Sequence, residues 1–246
     1  MSTKKQTYKD RERVNSACED ILNVIKSGDV VNQVGDIKWW QFWLKIGSWA
    51  IQRHQKKLFG KNSNWKDDHT MMFFDEDNTF SVELPRATMK PLQEYCLSNL
   101  SIYRLSLKEL TPDDVATMRN SARGMVGTDY DIGQLLDIAI NDLLGYEHQR
   151  RLSIFDFGRK KKVCSVGARV VFEHLYKKKI DPEGAKERKW LFDKMNPEKW
   201  PEKKIRKFRG TDVEATAPAH FANSDYFQNE FKLIARFNRG KELSSS

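Results

Sequence analysis

Val163-Cys164-Ser165-Val166-Gly167-Ala168-Arg169-Val170-Val171-Phe172-Glu173-His174-Leu175-Tyr176 is the stretch on which the fold turns. Its apolar residues recur at helical spacing, so it predicts a helix with Cys164 at or near the N-terminus. Unpaired backbone N–H groups and the positive end of the helix dipole favour thiolate over thiol at such a place. A buried cysteine, by contrast, is a small inert hydrophobe, so context decides the role of the sulfur.

Outward from this helix, the 246 residues suit one domain of generous size, or a domain with an appended subdomain. Cys18, Cys96 and Cys164 form an odd, sparse set without metal-ligand spacing. That reads against a disulfide framework and a structural zinc, and it points to a reducing compartment. Residues 1–12 are polar and charged, unlike a secretory leader, and no run approaches a membrane span. The expectation is a cytoplasmic protein with no stable membrane span. The net charge of +9 is concentrated: residues 159–209 hold 18 Lys/Arg against 7 Asp/Glu, while residues 1–158 hold 21 against 22. The 159–209 segment suits an anionic surface or polymer.

The pattern along the chain predicts a frayed tail over 1–12 and a helix over 14–26, closed by Ser27-Gly28-Asp29 before a strand at Val30-Val31. In the Trp-rich residues 39–51, Gln41, Lys45, Ser48 and Gln52 mark one narrow polar stripe, the mark of a buried helix or one that dips into a lipid interface. Residues 52–68 read as loop. Residues 69–74 and 79–84, either side of Asp75-Glu76-Asp77-Asn78, read as a hairpin. Further strands are expected over 100–105 and 231–237, with helices from Pro112 to about Arg123 and over 133–144. Helix and strand alternate without a doubly wound beat, so the fold class is α+β.

A thiolate that attacks carbonyls needs a base within hydrogen-bond reach and a group to orient that base. His174 lies ten residues along the same helix as Cys164, roughly 15 Å away, and is excluded. His54 and His148 sit in charged stretches, and His220 in a loop-like segment. His69 opens a strand whose partner ends in Glu83, an available orienting carboxylate. With a four-residue loop His69 faces Leu84, leaving Glu83 on the other side. With an odd loop or a bulge His69 faces Glu83.

The order of these parts resembles the circularly permuted papain-like cysteine hydrolases of the NlpC superfamily, in the YiiX/YaeF-like branch related to lecithin:retinol acyltransferase. Ser27-Gly28-Asp29-Val30-Val31 resembles the family's opening strand, His69 its catalytic histidine, and Val82-Glu83 the following apolar-Glu pair. Ile102-Tyr103-Arg104-Leu105 is similar to its next strand, Gly127-Thr128-Asp129-Tyr130-Asp131 to its G-x-x-Y-D turn, and Cys164-Ser165 to the start of its nucleophile helix. Ala217-Pro218 with Phe221-Ala222-Asn223-Ser224 resembles a late element. The chain departs from the family in carrying Val166-Gly167 where Glu-Leu is frequent, and in long basic inserts at 38–66 and 180–215.

The resemblance implies a single permuted papain-like domain over 1–246, with an antiparallel sheet packed against the nucleophile helix. It implies a cysteine hydrolase or acyltransferase that cleaves an amide or acyl-ester bond through a thioester. Cys164 is then the nucleophile, His69 its base and Glu83 the orienting group. The Cys164 N–H and the Tyr130 hydroxyl become candidate oxyanion donors. No cofactor or metal is required. Peptides, cell-wall peptides and lipid acyl chains are the implied substrates. The competing expectation is a catalytically inactive version of the fold, acting as a nucleic-acid-binding or structural protein through residues 159–209.

Overall fold

A computed structural model describes residues 8–34, 42–61, 64–131, 133, 162–180, 191–193, 195–199 and 216–243. The helix expected over 133–144, the start of the Trp-rich insert, nearly half of the 159–209 segment and most of the 180–215 insert, with Trp190, Trp200 and Phe208, lie outside the described residues.

Seven strands form one antiparallel sheet: β1 (Val30–Val34), β2 (His69–Asp75), β3 (Asn78–Val82), β4 (Ala87–Lys90), β5 (Asn99–Leu105), β6 (Phe231–Asn238) and β7 (Lys241–Leu243). Their order across the sheet is β4-β3-β2-β1-β5-β6-β7, which puts β1 in the middle. The helices are α1 (Tyr8–Leu22), α2 (Phe42–Phe59), α3 (Pro112–Met125), α4 (Cys164–Leu175) and the short α5 (Pro218–Ala222). An α+β architecture with an antiparallel sheet is thus observed.

Successive residues of a strand point to opposite faces, and here both faces are buried. On one side Val30, Met72, Phe74, Phe80 and Val82 pack with Ala168, Val171 and Phe172 of α4. On the other Val31, Met71, Phe73, Leu100 and Ile102 pack with Ala17, Cys18 and Ile21 of α1. α3 starts where Pro112 predicts. Thr111 is its N-cap, and its hydroxyl and the Asp114 carboxylate close a capping box.

Three expectations change. The helix expected over 14–26 starts earlier, at Tyr8, within the supposed tail. The polar residues 52–59, read as loop, continue α2 to Phe59. Ile51, Gln55 and Phe59, at i, i+4 and i+8, are buried and give that helix an inner edge. The third change concerns the cysteines. Cys18 and Cys96 are joined as a disulfide with Cα atoms 5.4 Å apart, leaving Cys164 as the free cysteine. Spacing hid the pair, because 78 residues separate its members and only tertiary packing brings α1 to the loop before β5. With it goes the inference of a reducing compartment from unpaired thiols. Among the described residues, no helix is long and apolar enough to cross a membrane.

Candidate functional site

Cys164 is the first residue of α4, behind the extended Val163, which supplies no side-chain cap. The helix lies close on the sheet at Gly167. A Cβ there would stand 2.5 Å from Val82 Cγ2 and 3.5 Å from Phe80 Cε1, so glycine at this position lets α4 approach β3. The approach seats the Cys164 sulfur where it accepts backbone N–H bonds from Thr70 of β2 and from Ser165.

Those donors and the helix end favour thiolate, yet the sulfur titrates the other way. Burial is the largest cause, and it pushes the thiol up to about 11; the nearby Asp68 carboxylate pushes in the same direction. Cys164 is only 2% exposed, and desolvating a thiolate outweighs the hydrogen bonds it receives. The expectation of a lowered thiol pKa is corrected accordingly.

Tyr130 and Asp68 lie near enough to Cys164 to interact with it electrostatically. Tyr130 is carried there by the bridge between its backbone and Lys162, two residues before Cys164. Burial holds its phenol well above the ordinary value, and Cys164, Asp68 and Asp131 add to the shift. Asp68 is nearly buried and accepts hydrogen bonds from the Ser48 hydroxyl and, at 3.3 Å, from the Gln52 amide, both on α2.

His69 is placed differently. A bulge between Phe73 and Asp75 shifts the hairpin register, so Met71 pairs with Ser81, and continuing that register sets His69 opposite Glu83. Of the two hairpin arrangements, this is the one that faces His69 toward Glu83. Alternation, however, sends His69 to the face of Met71 and Phe73, against α1, while α4 lies on the face of Met72 and Phe74. The His69 ring accordingly bonds through Nε2 to Ser81 Oγ at 2.8 Å. Desolvation lowers its pKa to about 4, against a smaller opposing pull from Glu83. Glu83 forms an ion pair with Lys90 and accepts a 3.3 Å bond from the Thr88 hydroxyl. The structure therefore brings Tyr130 to Cys164 but holds His69 and Glu83 on the far side of the sheet. Thr70, not His69, is the β2 residue that touches the sulfur.

Sequence reasoning missed Asp68, although it shares strand parity with Thr70, Met72 and Phe74. It also missed a buried polar network behind the site. Asn32 of β1 donates to Asp67 Oδ2 (3.0 Å) and to the Pro218 carbonyl (2.9 Å), and accepts from the Thr70 hydroxyl (2.9 Å). The signal was a fully buried asparagine among the valines of the central strand. Burial, partly offset by the Asn32 bond, raises Asp67 to about 6. On the flank, Ser165 Oγ donates to the Thr216 carbonyl at 2.6 Å, and the buried Arg169 bonds Glu173, Thr216 and the Leu191 carbonyl. α4 is thus tied to Leu191 within the basic insert and to Thr216 just after it. Among the described residues, no group of three or more His, Cys, Asp or Glu is placed to hold a metal ion.

No family model matches the chain, and no curated protein matches it. Among solved structures it is similar to the metalloprotein YiiX of Escherichia coli O157:H7, at 15% identity and a TM-score of 0.47, over 86% of this chain and 97% of that one.

Proposed function

We propose that the chain is a cysteine-dependent acyl hydrolase or acyltransferase in which Cys164 is the nucleophile and Asp68, in place of His69, exchanges its proton. The observation that supports it is that the charge of Asp68 reaches both Cys164 and Tyr130, whereas the His69 ring bonds Ser81 on the other face of the sheet.

The chemistry balances as follows. The Cys164 S–H proton passes to an Asp68 oxygen as sulfur bonds to the carbonyl carbon of an amide or ester. The carbonyl oxygen becomes an oxyanion, for which the Tyr130 hydroxyl and the Cys164 N–H are the proposed donors. Tyr130, with its pKa raised, stays a phenol and therefore a donor at neutral pH. Asp68 then returns the proton to the leaving amine or alcohol, and a thioester remains. Water or another acceptor attacks it, gives its proton to Asp68, and releases the acid and the Cys164 thiol. Peptides, cell-wall peptides and lipid acyl groups all present a suitable carbonyl.

The test is mass spectrometry of the protein after exposure to p-nitrophenyl acyl esters and peptide amides. An acyl adduct on Cys164 is expected. Turnover should be lost in Cys164→Ala, strongly reduced in Asp68→Asn, and retained in His69→Ala. Loss of turnover in His69→Ala with Asp68→Asn unaffected would return the base to His69.

The raised thiol pKa favours a second reading, in which the site is silent and the protein binds polyanions through residues 159–209. Absence of any adduct, together with polyanion binding that survives Cys164→Ala and weakens steeply with salt, would select it.

A further inference from the structure

Residues 38–66 hold seven Lys/Arg, five of the seven tryptophans of the chain, and no Asp or Glu. In α2, which occupies most of this span, Ala50, Ile51, Gln55 and Phe59 turn inward and are buried. Trp49, Arg53 and Lys57, spaced i, i+4 and i+8, form an exposed stripe, and Trp49 is 48% exposed. The Arg53 guanidinium lies over the Trp49 ring at 5.3 Å from its centroid. Just beyond the helix, Trp65 carries Lys56 at 4.9 Å and Lys66 at 5.9 Å. The first acids after the segment, Asp67 and Asp68, are only 6% and 8% exposed. Among the described residues, the outer face of α2 and the segment after it thus present cations and indole rings, while Asp67 and Asp68 are buried.

We infer that this face docks the protein on an anionic lipid surface, with α2 lying along the membrane plane. Indole rings settle at headgroup depth, where one edge is apolar and the other wet, and flanking cations meet lipid phosphates. Such a helix lies on a membrane without spanning it. A single-stranded nucleic acid fits less well, because stacking needs open ring faces. Here cations already cover faces of Trp49 and Trp65. The inner side of the same helix reaches Asp68 through Ser48 and Gln52, so the docking face and the Cys164 site share one element. The inference stands whether or not Cys164 is reactive.

The test is co-sedimentation of the full chain with phosphatidylcholine vesicles, with and without phosphatidylserine, read alongside tryptophan emission. Binding is expected only with phosphatidylserine, with a blue shift in emission and loss on adding salt. Each lost cation should weaken partitioning roughly fivefold. Arg53→Gln/Lys57→Gln should therefore weaken it by about 25-fold, and Arg53→Glu/Lys57→Glu by more. Trp49→Ala should reduce both the binding and the blue shift. Circular dichroism should show the wild-type fold in each variant, so that the losses report binding. Equal binding to neutral vesicles, no binding at all, or full binding by Arg53→Glu/Lys57→Glu overturns the inference. So does an oligo(dT) affinity that this double variant abolishes while vesicle binding persists.

Discussion

The titration of Cys164 gives the sharpest test of the site. With the thiol at about 11 instead of 9.0, its thiolate population at neutral pH is lower by two orders of magnitude. Forming the free thiolate at pH 7 from a pKa of about 11 costs about 5.5 kcal/mol. Efficient attack therefore needs proton transfer in step with bond formation, the role the proposed mechanism gives to Asp68. Asp68 also contributes to the raised value through its charge, so Asp68→Asn should lower the Cys164 midpoint. Burial is the larger cause, so the midpoint should remain above 9.0 in that variant. The assay is the pH dependence of iodoacetamide alkylation, quantified at Cys164 by mass spectrometry; the Cys18–Cys96 disulfide leaves it the free cysteine. Wild type should react slowly below pH 9, Asp68→Asn faster at pH 8, and His69→Ala like wild type. The paradox to look for is that Asp68→Asn alkylates faster yet turns over more slowly. A wild-type midpoint at or below the ordinary thiol value, or slowing by His69→Ala, would refute the geometry that puts His69 on the far face.

Other outcomes follow from the same packing. His69 is depressed from 6.5 to about 4, so its contribution to stability is present above pH 6.5 and is lost as pH falls toward 4. His69→Gln should remove about 3 kcal/mol of that acid loss in the difference between variant and wild-type denaturation curves; an unchanged acid limb would contradict it. Arg169→Met leaves Glu173 buried without its guanidinium and should cost about 3–5 kcal/mol in urea unfolding at pH 8. The loss should be smaller at pH 5, because burial has already raised Glu173 to about 7 and protonation removes its charge. Equal losses at the two pH values would argue against a charged Glu173 as the cause. Cys18→Ser/Cys96→Ser opens a long loop and should lower stability by about 2–4 kcal/mol. No change in the melting temperature would mean that the crosslink constrains little.

Periodicity within short windows made much of the architecture legible. The helix from Cys164, the hairpin after His69, Pro112 at a helix start, and the strands at 100–105 and 231–237 all rest on local alternation, caps and turn residues. Those signals act over a few residues, so they survive without tertiary information. The same patterns separated a basic tract from a charge-balanced remainder and marked the Trp-rich, acid-free segment.

What local pattern could not reach was which face each side chain would meet. Cys164 and His69 are both well placed along the chain, yet one residue of strand parity sends His69 toward α1 and leaves Asp68 and Thr70 on the side of α4. The hairpin bulge that sets His69 opposite Glu83 does nothing to bring the pair to the thiol. Gly167 looked like a break in a helical pattern until the close contact with Val82 gave it a purpose. Cys18 and Cys96 meet only because α1 folds across the loop before β5. In each case the deciding quantity is a contact between residues distant in sequence, and the pKa of Cys164 follows from it. The sequence by itself determined the hairpin, the strands at 100–105 and 231–237, the Pro112 helix and the presence of a cysteine at a helix start. Tertiary packing decided its neighbours, because desolvation and face selection depend on what the sheet and helix bury together.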